Sequence, residues 1–244
     1  MIRGVPGLAT LAALIAVAVP ARADTYEMVG TVGTHPVGAA LTIAGDRFTS
    51  GHYFYASQVK NIPLTGSQDG TSLTLTEPGG GVFRLKLQGN GGVGGDGSSF
   101  STSVALVGTW TQGAEVLPVK LGFDWNFQGD PADGMYHEVT TEPDAAYEAR
   151  VGGFLKAVLA GDKAGAAKLV SYPLTVNGRH PLTLKTPASF IAHWNTIFPP
   201  AMLAELRTAI PHEMFVHEGQ AMVAGGAAWF DAKGASALNE PEVK

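Results

Sequence analysis

His212-Glu213-Met214-Phe215-Val216-His217 is the stretch of this 244-residue chain that comes nearest to a catalytic signature. A zinc protease uses His-Glu-x-x-His, which needs both histidines on one helical face, four positions apart. Here they are five apart, which on a helix turns the second about 140° from the first. Pro211 and the β-favouring Phe215-Val216 argue for a strand instead, where positions 212 and 217 face opposite sides. The run does not read as a zinc site. Gly89-x-Gly91-x-x-Gly94 matches the dinucleotide fingerprint in letters, but no helix follows to meet a pyrophosphate. Gly91-Gly92-Val93-Gly94-Gly95-Asp96 matches a single calcium-binding β-roll repeat, a fold that needs stacked copies and a large apolar residue where Ser98 stands. Both matches reduce to a flexible loop. Gly-x-Ser-x-Gly and phosphate-loop motifs are missing.

A second group suggests a pocket rather than a reaction. Tyr172, His193, Trp194, Phe215, His217 and Trp229 lie within one segment rich in aromatics, and they form the candidate ligand-binding set. A histidine or acid inside a cavity can serve as a general base when burial tunes its pKa, with His193, His217 and Glu218 the available groups. The plainer reading is packing: Phe190, Trp194 and Phe198 have core spacing on a helix, and Trp229-Phe230 ends a core strand. Asp124 and the Asp144/Glu148 pair are acids whose sequence positions do not place them across a cleft from one another. The latter pair, at i, i+4 on a helix, reads as solvated.

The elements that would hold these residues follow a segment that reads as an export signal. Arg3 precedes an Ala/Leu/Val run from Leu8 to Val19, and Ala21-Arg22-Ala23 matches a small-x-small cleavage site, giving a signal peptide over 1–23. The run is short of the roughly 20 residues that span a bilayer. Loss of Arg3 and Arg22, with no acid lost, takes the formal charge from −5 to −7. Such a chain, without a basic run, is not expected to bind nucleic acid or anionic membrane. The absence of cysteine removes disulfides, thiolate metal sites and thiol-linked lipid anchors, which suits a Gram-negative periplasm and no membrane anchor.

From Tyr26 to about Gln128 short alternating runs are divided by turns such as Gly45-Asp46, Asp69-Gly70 and Gly79-Gly80-Gly81. They predict an antiparallel meander closed as a barrel or folded as a sandwich. Asp130 to Gly134 reads as a linker. A helix is expected from Pro143, capped by Thr141, with Ala146, Tyr147, Val151, Phe154, Leu155, Val158 and Leu159 on one face. Strands at Val170–Val176 and Leu182–Leu184 follow, then one helix from Pro187 to Phe198 and another from Ala201 to Ala209. Strands at Met214–Val216 and Ala221–Phe230 close the segment. Residues 234–244, small and charged, read as a tail.

Two resemblances rest on these runs. Gly51-His52-Tyr53-Phe54-Tyr55, Ile62-Pro63-Leu64-Thr65-Gly66, Leu73-Thr74-Leu75-Thr76-Glu77, Leu106-Val107-Gly108-Thr109-Trp110 and Leu117-Pro118-Val119-Lys120-Leu121 resemble a module of exported bacterial proteins shaped as a lipocalin-like β-barrel. The order of helices, Tyr172-Pro173-Leu174, Phe190, Trp194-Asn195-x-Ile197-Phe198, Phe215, Gly219, Met222-Val223, Gly225 and Trp229-Phe230 resembles an NTF2-like cone of the SnoaL-like type. The expected fold is thus a two-domain one. A lipocalin-like all-β domain spans 24–128, a linker 129–142, and an α+β NTF2-like domain 143–233. Both resemblances imply folds that make cavities, and the second also permits a homodimer.

Cavities without an assembled catalytic set favour a non-catalytic binding or accessory role, for a small apolar or amphipathic ligand or for a protein partner in the cell envelope. The rival readings are an NTF2-like enzyme of isomerase, hydratase or hydrolase type using His193 or His217 as base, and a structural interaction module. No cofactor is expected.

Overall fold

Period-two alternation builds the first half of the molecule. The computed structural model describes residues 23–92, 95–129 and 134–241. Eight strands form a closed antiparallel barrel in simple meander order: β1 (Ala23–Val32), β2 (His35–Ala44), β3 (Arg47–Tyr55), β4 (Ile62–Asp69), β5 (Ser72–Thr76), β6 (Val82–Gln88), β7 (Ala105–Gln112) and β8 (Glu115–Gln128). Of the two architectures the sequence allowed, the chain adopts the barrel, which leaves no open sheet edge. Alternate residues fill the inside: Leu73 and Leu75 on β5, Phe83, Leu85 and Leu87 on β6, Leu106 and Trp110 on β7. They fill it almost completely. The interior space lined by Val32, Leu41, Tyr53, Leu75 and Leu121 is only about 10 Å³, barely room for one water. The expectation of a hollow barrel is therefore corrected: large side chains occupy the place a ligand would take.

The second module has a six-stranded mixed sheet in the order β10-β9-β14-β13-β12-β11. Its strands are β9 (Val170–Asn177), β10 (Leu182–Leu184), β11 (Phe215–His217), β12 (Gln220–Val223), β13 (Ala228–Phe230) and β14 (Ala235–Asn239). Helices α1 (Asp144–Leu159), α2 (Lys163–Ala167), α3 (Pro187–Ala192), α4 (Trp194–Ile197) and α5 (Pro200–Leu206) accompany it. Tyr147, Phe154, Leu174, Phe190 and Phe230 are fully buried in its core. A space of about 70 Å³ lies near Val176, Ile197 and Met202, and a wider, open one of about 560 Å³ lies near Glu205, Met222 and Trp229. Among the described residues no helix is long and apolar enough to cross a membrane.

Several boundaries differ from expectation, each for a local physical reason. The expected tail contains β14, which pairs parallel with β9 and antiparallel with β13 and buries Ala235 and Leu238. Its small residues look dispensable in sequence but fit the middle of a crowded sheet. The expected linker contains Tyr136, fully buried on Tyr147 at 4.8 Å between ring centroids. Thr141 does not cap α1: Pro143 holds that position without a side-chain cap, and the Asp144 carboxylate instead accepts from the backbone of Met135 and Tyr136. The helix expected over Pro187–Phe198 breaks at His193, and the strand expected over Ala221–Phe230 breaks at a 3-10 turn where Gly225 takes φ 60°. The export signal lies outside the described residues except for Ala23, which starts β1 opposite Ala44.

Candidate functional site

The site grows from an unusual outer face on the barrel. On β2, Val37, Ala39, Leu41 and Ile43 point inward, which leaves Gly38, Ala40 and Thr42 pointing out. A solvent-facing strand carries polar side chains there; this one carries small residues, and Ala40 is itself buried. Register aligns Glu27 on β1, Ala40 on β2 and His52 on β3 in one outward row. The next row is Val29, Gly38 and Phe54, with the Phe54 ring lying across Gly38 so closely that a Cβ there would come within 2.2 Å of it.

Against this trough lies the loop before β11. Glu213 sits in the left-handed region at φ 51°, a costly conformation for a residue with a side chain. That turn directs the Glu213 side chain at the barrel, where Oε1 pairs with His52 Nε2 and accepts from Asn61 Nδ2 at 2.9 Å. His212 stands edge-on to Phe54, 4.5 Å between ring centroids. Its Nδ1 meets Glu148 Oε2 at 2.8 Å and its Nε2 meets Asn61 Oδ1 at 2.7 Å. Glu148 Oε1 accepts from the Tyr136 hydroxyl at 2.8 Å and from the Glu213 backbone at 3.2 Å, and the Tyr136 oxygen in turn accepts from Met214 N at 3.1 Å. Every link joins groups from different elements, so the two modules lock at this seam.

Charge follows the geometry. Burial works against a charged His212. The hydrogen bond and charge of Glu148, then the charges of Glu213 and Asp144, outweigh it and raise its pKa. With an acceptor at each ring nitrogen, the imidazolium is the form that satisfies both. Burial raises the Tyr136 hydroxyl far above its ordinary range, and the charge of Glu148 adds to the effect. The most perturbed acid is Glu27, which is 4% exposed. Burial, then the negative charge of Glu213, then that of Asp124, then a hydrogen bond to the Glu213 carboxyl, raise its pKa well above 4.5. Asp124 is close because β1 and β8 slip register between Glu27 and Met28, leaving it as the extra residue of a bulge.

A cavity of about 240 Å³ opens over this point. Glu27, Phe54, Trp125, Glu213, Phe215 and Met222 help line it. Trp125 and Phe215 meet edge-to-face at 5.2 Å between centroids and wall one side. Among the described residues no N–H or hydroxyl group donates to Glu27 Oε1 or Glu213 Oε2, and the two carboxyls are left to share a proton with each other. Comparisons with protein-family models, curated proteins and solved structures find no match. The site therefore has to be read from its own chemistry.

Of the candidate ligand-binding residues Tyr172, His193, Trp194, Phe215, His217 and Trp229, Phe215 lines this cavity and the others do not, whereas His212, Glu213 and Asp124, set aside in the sequence, do. Trp194 is core, packed on Phe198 at 4.7 Å and Phe190 at 5.7 Å between centroids. His193 is exposed, with Nδ1 2.8 Å from the Ser189 carbonyl. The side chain of His217 is 61% exposed beside Glu218. Tyr172 donates to the Ala167 carbonyl at 3.1 Å, and Trp229, edge-on to Phe215 at 6.5 Å between centroids, donates to that of Gly226 at 3.1 Å. The Asp144/Glu148 pair is not simply solvated; Glu148 is the hub of the seam. Among the described residues no three or more His, Asp or Glu side chains are placed to hold a metal ion. Sequence reasoning missed Glu27, His52, Asn61 and Glu148. The available signal was β2, a strand without a single charged residue between Val37 and Ala44.

Proposed function

We propose that this is an exported, non-catalytic binding protein that holds a small amphipathic molecule in the seam between its two modules. One observation carries the reading: a cavity at the seam whose lining sets Trp125, Phe215 and Met222 beside the acids Glu27, Asp124 and Glu213. A mostly apolar wall with a few polar groups at one place suits a guest with a hydrocarbon part and a polar end. At about 240 Å³ the cavity is below the roughly 300–1,000 Å³ usual for drug-sized ligands, so the guest is small, of the size of one ring with a short arm. The same reading takes the barrel as lipocalin-like and the mixed sheet with its helices as an NTF2-like cone, supported by strand count and element order. The barrel interior is filled, and binding moves to the junction of the two modules. Export to the periplasm is supported by the Arg3, Leu8–Val19 and Ala21-Arg22-Ala23 pattern.

The reading is tested by native mass spectrometry of protein purified gently from the cell envelope, followed by extraction of its small molecules. A stoichiometric passenger is expected in the wild type and its loss in Val29→Trp. That substitution enlarges a half-exposed cavity residue and crowds the opening without touching either core. A wild-type protein that is always empty, or a passenger retained unchanged in Val29→Trp, refutes the seam as the binding place.

A further inference from the structure

The outer face of the second sheet carries a row of apolar side chains that the barrel covers at one end only. We infer that this row floors a trough continuous with the seam cavity. Its guest is an uncharged ring with an alkyl arm, the ring held in the seam and the arm laid along Met222 to Trp229, which rests on the binding function proposed above.

Register sets the row. Phe215 on β11 pairs with Met222 on β12, and Met222 pairs with Trp229 on β13. Their neighbours Ala221, Val223, Ala228 and Phe230 are buried with the helices in the core, so by alternation the three point the other way. A sheet face turned to water carries polar residues; this one carries Phe, Met and Trp, each half-buried. Trp125 of the barrel covers Phe215 at 5.2 Å between ring centroids. Trp229 lies 6.5 Å beyond Phe215 and lines the open space of about 560 Å³ instead. That space and the seam cavity meet along Met222, Ala224 and Gly225, which line both. Past Met222 the chain carries nothing larger than a methyl group, through Ala224, Gly225, Gly226 and Ala227. Ala224, Gly225 and Gly226 take φ of 51°, 60° and 90°, a costly conformation for the alanine. This turn breaks the expected strand and keeps bulk off the path between the two spaces.

Charge limits the guest. Glu27, Asp124 and Glu213 line the seam end, Glu205 and Glu240 line the outer end, and among the described residues no Lys or Arg lines either space. His212 lines the seam with both ring nitrogens engaged, by Glu148 and Asn61. An anionic amphiphile such as a fatty acid therefore meets like charge at both ends and is excluded. Glu27 and Glu213 share a proton with each other and present nothing to a cation. What fits is an uncharged head with one hydroxyl, donating to Asp124, the exposed acid of the three. At about 1.5 Å per carbon–carbon bond, less in projection, an arm of about five carbons covers the 6.5 Å from Phe215 to Trp229.

Isothermal titration calorimetry tests this with 4-alkylphenols from methyl to hexyl, each beside the 4-alkylbenzoate with the same arm. Phenol affinity is expected to rise about two- to threefold per methylene, the gain of a partly buried one, and to level off near about five carbons. The benzoates should bind at least about tenfold more weakly. Glu205→Trp fills the outer space from the exposed surface of α5 and touches neither core. In it 4-pentylphenol should fall to the affinity of 4-methylphenol, whose own binding stays unchanged. Binding of 4-methylphenol with no gain from a longer arm, or a gain that survives Glu205→Trp, overturns the trough and leaves the seam reading standing. Benzoates that bind as tightly as phenols overturn the uncharged head. A dimer in the native mass spectrum that separates in Trp229→Ser gives the row to a second copy and overturns the arm. Binding of no phenol overturns the guest inferred here, and the seam reading then stands or falls with the passenger lost in Val29→Trp.

Discussion

Glu27 and Glu77 are both buried on the barrel, and the difference between them sets a structural brace apart from the seam. Glu77, at one end of the barrel, is 8% exposed and fully used: the Tyr53 hydroxyl donates to one oxygen and Trp110 Nε1 to the other at 3.1 Å. Glu27 is buried still more deeply and meets another acid, Glu213, with no N–H or hydroxyl donor from the barrel. The first is a cross-brace tying β3, the β5–β6 turn and β7. The second joins the barrel to the loop before β11 through a proton that burial and the neighbouring acids hold on it, a costlier contact than a neutral donor would make.

The sharpest way to break this contrast is Glu77→Leu, which strands two buried donors, Tyr53 O–H and Trp110 N–H. It should cost about 2–5 kcal/mol by chemical denaturation. Glu27→Gln should instead be neutral or stabilising by up to about 1 kcal/mol, seen as a rise of about 2–4 °C in Tm. Its pH dependence has a definite sign. A raised folded-state pKa means that the native protein keeps a proton which the unfolded chain has lost, so Glu27 takes stability away as pH rises from its ordinary value of 4.5 through the raised one. The wild-type Tm should therefore fall relative to Glu27→Gln across that window, and parallel curves would sink the assignment. The smallest effect belongs to the exposed histidines: His193→Ala with His217→Ala should change stability by less than about 0.5 kcal/mol and leave passenger retention intact.

Much of the fold was legible because side chains report local periodicity. Leu73/Leu75 and Phe83/Leu85/Leu87 announced β5 and β6, and Tyr147, Val151, Phe154 and Val158 announced α1. What local pattern cannot report is the neighbour. Ala235-Ser236-Ala237-Leu238-Asn239 has the composition of a tail, and only its place between β9 and β13 makes it a strand. Glu27 obeys the alternation rule, polar and pointing out of the barrel, and is buried because a second module lies on it. The His212-Glu213 pair drew attention for zinc-protease spacing it does not have. Its real use depends on a left-handed backbone at Glu213 that no residue type there predicts.

The register slip that brings Asp124 beside Glu27 lies where β1 meets β8, the first and last strands of the barrel. In a meander this is the pairing with the greatest loop to close, and so the slowest to form by chain search. The two acids therefore meet only once the barrel has shut. A chain stalled short of that step has the strands and lacks the site, which makes ligand capture a report on completed folding. A guest held there also draws the last closure forward by mass action.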